Sequence, residues 1–234
     1  MTLNILFENK RVLAVDKPTG IIVIPDQYTD ISNTLQGKVS NYINKKAFVV
    51  HRIDRDTSGV LLFAKDAEAH AFLCAQFEAG EVKKKYLTLV RGVMPKDEGS
   101  IIQPITITAR RVAISAMGKY SVTDYKVLER FINYSYLEVS PQTGRRHQIR
   151  IHLWHAGYPL AVDPEYTHTN SIYLSDIKRN YKKKGKEKPL IGRLSLHAAS
   201  ITFKEPEEGK EMTVESPLPK DFEVTLKQLR KYNK

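Results

Sequence analysis

Residues 50–65, VHRIDRDTSGVLLFAK, hold the densest group of charged and hydroxyl side chains in the sequence. An apolar stretch at residues 47–50 precedes this group, and a second apolar run follows Gly59. Short apolar runs bounded by turn residues are typical of buried strands, and loops between core strands often carry functional groups. The segment therefore predicts a functional loop at the edge of a sheet.

Asp54 stands at the centre of this polar group, between Arg52 and Arg55. Nearby opposite charges lower the pKa of a carboxylic acid, so we expect Asp54 to be ionised. A plain turn is the alternative, because the side chains of residues 56–58, Asp-Thr-Ser, are favoured in turns for their hydrogen bonds to the backbone. Composition alone leaves both interpretations open.

Elsewhere the chain combines many strand-like segments with few helices. Segments rich in Val, Ile, Leu, Thr and Tyr and bounded by Gly, Pro or Asp are residues 11–16, 20–24, 48–51, 60–64, 85–91, 105–108, 120–128, 136–139 and 194–203. Helical spacing of apolar residues occurs at residues 35–43 after Ser32 and Asn33 as N-cap candidates, at residues 69–77 after Asp66, and at residues 149–156 before Gly157. The pattern predicts an α+β fold with a mixed, mostly antiparallel sheet and flanking helices.

Charge indicates the kind of partner. The 234 residues include 37 Lys and Arg against 26 Asp and Glu, which gives a formal net charge of +11. Such an excess points to a polyanion, either a nucleic acid or an anionic membrane surface. No apolar run approaches the roughly 20 residues of a membrane span. No basic amphipathic helix stands out that could lie on a membrane surface. Of the two candidate partners, nucleic acid is therefore favoured. Cys74 is the only cysteine, which excludes an intrachain disulfide and fits the cytoplasm.

Two further clusters have ordinary explanations. Residues 181–189, YKKKGKEKP, hold five lysines, and a solvated surface loop is favoured there over a dedicated RNA contact. His147, His152 and His155 suggest a metal site, but no cysteine and no HExxH pattern accompanies them, so we predict no metal. The GxGxxG and GxxxxGK[ST] patterns of nucleotide sites do not occur either.

The polar segment and four others together resemble one enzyme family. HRIDRDTSGVLLFAK, within residues 50–65, resembles the motif around the catalytic aspartate of the RluA-type pseudouridine synthases. Three further stretches are similar to other parts of that family: RVLAVDKPTGIIVIP at residues 11–25, VKKKYLTLVRG at residues 82–92, and PQTGRRHQIRIHLWHAGYPL at residues 141–160. Residues 196–219 are like its closing strands. The resemblance covers nearly the whole chain, in order, and implies the pseudouridine synthase catalytic fold.

The resemblance implies a reaction and three catalytic residues. Pseudouridine synthases break the bond between uracil N1 and ribose C1′, turn the ring and join C5 to C1′, without a metal or cofactor. Asp54 falls on the nucleophile, which acts at the ring or at C1′. Arg150 would pair with Asp54 and keep it ionised and oriented. Tyr86 would stack on the target base and assist removal of the C5 proton, although by sequence alone it would be a strand-packing aromatic.

Three more residues are expected to bind substrate: Arg52, His51 and Arg146. Arg52 would hold or replace the extruded nucleotide, whereas for His51 a structural role is an equal alternative. Arg146 departs from the family, which usually has Thr or Ser there, and adds positive charge beside the predicted cleft. Val162 is a second departure, because a usual glycine would allow a tight backbone approach. The following Asp163, like Asp124, is expected to cap a turn or pair with arginine.

The resemblance also sets expectations for organisation and partners. We expect residues 1–234 to form a single catalytic domain, without the S4-type module of some relatives, and to act as a cytoplasmic monomer. The expected partner is RNA, a ribosomal RNA or tRNA stem-loop, and not a membrane. The alternative is a non-catalytic RNA-binding or ribosome-assembly protein that retains the fold, to which a charge of +11 is equally suited. A nuclease is disfavoured because no carboxylate–metal cluster is evident.

Overall fold

A computed structural model describes residues 2–108, 111–182 and 185–233. The strands are β1 (Asn4–Glu8), β2 (Val12–Lys17), β3 (Phe48–Val49), β4 (Ser58–Ala64), β5 (Lys83–Arg91), β6 (Glu98–Ile102), β7 (Ile105–Ile107), β8 (Val112–Ile114), β9 (Val122–Arg130), β10 (Tyr134–Pro141), β11 (Leu196–Lys204) and β12 (Glu211–Glu215). The helices are α1 (Leu35–Tyr42), α2 (Ala67–Glu78), α3 (Gln148–His155), α4 (Leu174–Ile177) and α5 (Lys220–Tyr232).

The chain divides into two compact units. The first unit comprises Met1–Lys85 and Ala198–Pro217, and the second comprises Tyr86–His197 and Leu218–Lys234. Strands β5 and β11 each run from one unit into the other. The first unit is therefore discontinuous in sequence, because its last two strands come after nearly all of the second.

In the first unit, antiparallel strands are covered by helices. Strand β2 pairs with β1 and β4, β4 also pairs with β3, and β11 pairs with β12, all antiparallel. Leu13 of β2 and Phe63 of β4 pack with Leu35 and Val39 of α1 in one buried cluster. Every residue of β4 is buried, so both faces of this strand are covered. That burial explains why its sequence is a continuous apolar run.

In the second unit, β10 lies between β5 and β9, and β9 pairs with β6, all antiparallel. Alternate residues of β10 face two separate cores, as expected for side chains of a strand. Leu137 and Val139 pack with Leu153 of α3, whereas Tyr136 packs in a cluster with Leu226 and its neighbours from α5. Helix α3 is thereby fixed against the sheet by its apolar side.

These elements confirm the predicted α+β class and most of the predicted strands, but the predicted strand at residues 20–24 is wrong. Val23 is buried, as its apolar character suggests. However, the carbonyl groups of Ile22 and Val23 accept hydrogen bonds from the N–H groups of Leu35 and Gln36, at 2.9 and 3.0 Å. The segment therefore binds the first turn of α1 and does not extend the sheet.

One detail of a predicted helix end also differs. The N-cap of α1 is Thr34, whose Oγ1 accepts from the N–H of Gly37 at 3.1 Å, so Ser32 and Asn33 are wrong as N-caps.

In the lysine-rich run at residues 181–189, Lys183 and Lys184 lie outside the described residues. The described residues of that run belong to no helix or strand, and Lys182, Lys186 and Lys188 are exposed, as a solvated loop requires.

Candidate active site

In the first unit, Asp54 lies in the loop between β3 and β4 and is half-buried. Its backbone carbonyl accepts from the N–H of Thr57 at 3.2 Å, so the loop closes in a turn at Asp54. Arg52 and Arg55, on either side of this residue, are exposed. The sequence left two interpretations open for this segment, a functional carboxylate and a plain turn. The two are compatible, because the hydrogen bond that closes the turn is made by backbone groups.

The side chain of Lys17 holds the Asp54 loop through hydrogen bonds to backbone carbonyls. Its side chain is completely buried, and Nζ donates to the carbonyl oxygens of Pro18 at 3.0 Å, Arg55 at 2.7 Å and Thr57 at 2.8 Å. A buried ammonium group is stable only where hydrogen bonds replace its water. Lys17 therefore joins the turn at residues 17–20 to the loop that carries Asp54.

Two glycines allow the backbone to come this close. Gly20 has φ +84°, its N–H donates to the carbonyl of Arg55 at 2.9 Å, and its own carbonyl accepts from Arg55 Nε at 3.1 Å. Gly59 has φ +114°, and a Cβ there would lie 2.1 Å from the carbonyl oxygen of Ala198. Both positions need a residue that adopts positive φ without strain, and the second also needs one without a side chain.

The structure places the ring of His51 against the interior of the first unit. Nε2 accepts from the N–H of Leu62 in β4 at 3.0 Å, and the ring stacks on Phe77 of α2 with centroids 4.8 Å apart. Burial, with a smaller contribution from the nearby charge of Lys84, lowers the pKa of His51 to about 3. The ring is therefore neutral near pH 7. These contacts favour the structural alternative for His51, and substrate binding by this residue stays a prediction.

In the second unit, Tyr86 is the first residue of the β5 portion that pairs with β10, where it lies opposite Val139. The side chain is half-buried and packs against the buried cluster that includes Leu137 and Leu153. The predicted strand context is confirmed. This packing holds the side chain in place, and an aromatic ring fixed in this way provides a flat surface for a base.

The loop before α3 is held by the side chain of Gln148. Its Oε1 accepts from Thr143 Oγ1 at 2.7 Å and from the N–H of Arg145 at 3.1 Å. Its Nε2 donates to the carbonyl of Val122 at 2.9 Å. His147, directly before the helix, has the left-handed conformation with φ 55°. Arg146, in the same loop, is exposed, so its guanidinium is accessible to a phosphate.

Arg150 lies in α3 and is only 6% exposed, so it is not a surface arginine. Asp163 accepts two parallel hydrogen bonds, from Nε at 2.8 Å and from Nη2 at 2.9 Å. Glu165 accepts a further one from Nη2 at 2.8 Å, and the Tyr166 ring lies 5.0 Å from the guanidinium carbon. The buried charge is thus paired, as burial requires.

Val162, the second departure from the family, is compatible with the surrounding core. Val162 is completely buried and packs in the α5 cluster, and its N–H donates to Ser195 Oγ at 3.1 Å. Its side chain therefore fits where the family usually has glycine. The expected arginine pair of Asp163 is confirmed. Asp124 is different, because it accepts from Ser100 Oγ at 2.6 Å and Gln142 Nε2 at 2.7 Å, so the expectation of a turn cap or arginine partner there is wrong.

Several supporting residues were assigned no role by the sequence. Lys17 belongs to a recognised motif, but only its complete burial reveals what its charge does. Glu165 and Tyr166 gave no signal, since an acidic residue and an aromatic residue after Pro164 are ordinary in a loop. In residues 2–108, 111–182 and 185–233, no group of three or more His, Cys, Asp or Glu side chains lies close enough together to hold a metal ion.

Comparison with known proteins assigns the family. The sequence profile described as RNA pseudouridylate synthase matches residues 11–155, which include Asp54, Tyr86 and Arg150. The chain belongs to the RNA pseudouridylate synthase family. The synthase is 37% identical to the ribosomal large subunit pseudouridine synthase D of Pseudomonas aeruginosa, with 97% of this chain and 72% of the relative covered. It is 34% identical to the D enzyme of Neisseria meningitidis, of which it spans 62%.

A solved structure agrees with the fold. Human RNA pseudouridylate synthase domain containing 4 superposes with a TM-score of 0.74 and 24% identity, over 97% of this chain and 93% of that one. The predicted enzyme class, an RNA pseudouridine synthase, is confirmed by the family and the relatives, and the non-catalytic alternative loses its support. Among the described residues, no helix is long and apolar enough to cross a membrane.

Proposed function

We propose that the synthase converts one or a few uridines of large-subunit ribosomal RNA to pseudouridine. The observation that carries this proposal is the identity of 37% and 34% to relatives whose names specify the large ribosomal subunit. tRNA, the other substrate class that the sequence left open, gains no support from these names. A formal charge of +11 suits either polyanion.

The proposed chemistry starts from Asp54. Its carboxylate forms a bond to the target nucleotide, at the ring or at C1′, as the bond between N1 and C1′ breaks. The detached uracil turns, C5 bonds to C1′, and the bond to Asp54 breaks, which frees the carboxylate. The C5 proton then leaves and N1 gains a proton, so the reaction is an isomerisation without redox change. The half-buried position of Asp54 supports this role, because such a carboxylate is accessible to substrate yet held by its loop.

Tyr86 and Arg150 complete the proposed catalytic set. Tyr86 stacks on the uracil and its hydroxyl assists removal of the C5 proton. Arg150 keeps the nucleophile ionised and oriented, a task that suits a guanidinium because it remains charged and forms directional pairs. Support for Arg150 comes from its fixed orientation, because Asp163 and Glu165 accept hydrogen bonds from Nε and Nη2.

Two exposed arginines are proposed to bind the RNA. Arg52 would hold the target nucleotide after extrusion, which costs a few kcal/mol. Arg146 would contact a backbone phosphate, for which exposure is required. We further propose that the two compact units together form one catalytic domain and that the synthase acts as a monomer in the cytoplasm, where ribosomal RNA is the proposed substrate.

Mapping of pseudouridine in total RNA tests this function. The map is compared between wild-type cells, cells without the synthase, and such cells supplied with wild type, Asp54→Asn or Asp56→Asn. Asp56 is an exposed carboxylate of the same loop and serves as the matched control. We expect the missing positions to lie in large-subunit ribosomal RNA and to return with wild type and Asp56→Asn, but not with Asp54→Asn. Restoration by Asp54→Asn, or missing positions only in tRNA, would contradict the proposal.

A further inference from the structure

Asp163 is the most buried carboxylate in contact with Arg150, at 1% exposure. Its two oxygens have different partners. Oδ2 accepts from Arg150 Nε at 2.8 Å. Oδ1 accepts from Arg150 Nη2 at 2.9 Å and also from the N–H groups of Glu165 and Tyr166, at 3.1 and 3.2 Å. Asp163 therefore shapes its own turn with one oxygen and binds the guanidinium with both.

The turn made by Asp163 brings two further side chains to the same guanidinium. Glu165, which is half exposed, accepts from Nη2 at 2.8 Å. The ring of Tyr166 lies 5.0 Å from the guanidinium carbon, a cation–π distance, and its hydroxyl lies 3.1 Å from His147 Nδ1. Thus the edge and one face of the guanidinium are in contact with three residues of one short turn, Asp163, Glu165 and Tyr166.

An arginine side chain has four rotatable bonds, and its ordering costs conformational entropy. Contacts at Nε and Nη2 from Asp163, with Tyr166 against the face, fix the plane of the group and therefore the direction of Nη1. A catalytic group that is misplaced by about 1 Å loses on the order of 10²-fold in rate. Neutralisation of the Arg150 charge would not by itself require contacts that fix the orientation of the guanidinium.

We propose that Asp163 is a positioning residue, which sets the guanidinium plane of Arg150 for the chemical step. The inference rests on the proposed function of Arg150. The competing explanation is that Asp163 only builds its turn. Asparagine separates the two roles, because its carbonyl oxygen still accepts from the N–H groups of the turn whereas its NH2 group cannot accept from Arg150 Nε.

The second unit contains a matched control. Arg193 and Asp221 form the same kind of two-bond pair, at 2.7 and 2.9 Å, and Asp221 Oδ1 likewise accepts a backbone N–H, that of Phe222 at 2.8 Å. Asp221→Asn therefore breaks an arginine–carboxylate pair and retains a backbone acceptor, as Asp163→Asn does. Asp221 is 32% exposed against 1% for Asp163, so we expect a smaller loss of stability from Asp221→Asn, and a loss of chemical rate from Asp163→Asn alone.

Single-turnover rates on substrate RNA test the proposal, at a temperature where circular dichroism shows each variant to be folded. Asp163→Asn should lower the rate about 10²-fold while RNA affinity changes less than threefold, and Asp221→Asn should stay within twofold of wild type. Equal rate losses in the two variants, or a wild-type rate for Asp163→Asn, would overturn the proposal.

A double-mutant cycle then asks whether Asp163 acts through Arg150. Arg150→Met removes the guanidinium, so adding Asp163→Asn to it should lower the rate less than threefold further. Losses that multiply in the double variant refute the positioning role. If Arg150→Met alone retains the wild-type rate, the proposed function of Arg150 fails, and that outcome is distinct from a failure of the role assigned to Asp163.

Discussion

Replacement of Lys17 by methionine is the perturbation that most directly examines how the Asp54 loop is held. Methionine nearly matches the volume of the lysine side chain, so packing is largely preserved. The ammonium is lost, and with it the hydrogen bonds to the carbonyls of Pro18, Arg55 and Thr57. The change therefore isolates the polar contribution of one completely buried group.

The size of the effect follows from these contacts. Hydrogen bonds to a charged group contribute about 1.5–3 kcal/mol each, so three of them represent roughly 4–9 kcal/mol. Removal of a buried ammonium also removes its desolvation cost, which is several kcal/mol. We expect a net fall of about 2–4 kcal/mol in the free energy of unfolding. A loop shifted by about 1 Å at Asp54 would also lower the chemical rate on the order of 10²-fold.

Urea unfolding and single-turnover kinetics measure the two quantities, with Lys83→Met as the control. Lys83 is 71% exposed and pairs with Glu211 at 3.2 Å. Loss of a surface pair of this kind changes stability by less than about 1 kcal/mol, so this control should resemble wild type. A Lys17→Met protein within about 1 kcal/mol of wild-type stability, with a rate within threefold, would refute the reasoning.

Four other outcomes are expected. Because the native pKa of His51 is about 3 and the unfolded value is near 6.5, the unfolded chain binds the extra proton, and lowering the pH from 7 to 5 should cost about 1–2 kcal/mol of stability. That cost should be missing from His51→Gln in urea titrations at both pH values, and equal losses in the two proteins would contradict it. Tyr86→Phe should bind RNA almost normally, since the ring remains, but lose roughly 10²–10⁴ in rate; weakened binding with normal turnover would make Tyr86 a stacking surface only. Activity should persist in EDTA without added nucleotide, and loss on chelation with recovery by zinc or magnesium would overturn that expectation. RNA affinity should fall with salt at a log–log slope near −4 if about five phosphates are contacted, and a flat salt response would exclude a mainly electrostatic interface.

The elements that the sequence predicted best carry their own boundary signals. Asp66 is the N-cap of helix α2, where its side chain accepts from the N–H of Ala69, and the helix ends before Gly80, where φ is 71°. Both signals are local, so they are visible without the fold. Helix α5 was missed although Phe222, Leu226 and Leu229 follow helical spacing, because the polar residues between them, Glu223, Thr225, Lys227 and Gln228, lower the apolar content of the segment.

The candidate site divides in a similar way. Asp54, Tyr86 and Arg150 were found because family motifs mark them. The contacts that hold them involve distant positions: Lys17 Nζ bonds to the carbonyl of Thr57, 40 residues away, and Asp163 lies 13 residues from Arg150. A lysine that donates to backbone carbonyls has no complementary side chain in the sequence, so no pattern could reveal it. Such partners become visible only when the topology is known.

The discontinuity of the first unit has a consequence for synthesis on the ribosome. Strand β4 has β11 as a neighbour, but the 112 residues from 86 to 197 are translated between Lys85 and Ala198. At about 5–20 residues per second, that interval lasts roughly 6–22 s. During this time one edge of the apolar strand β4 is paired only with the two residues of β3, and the rest of that edge is a template for wrong pairing with another chain. Chaperone protection during translation would matter most in this interval, before the strand that completes the first unit has emerged.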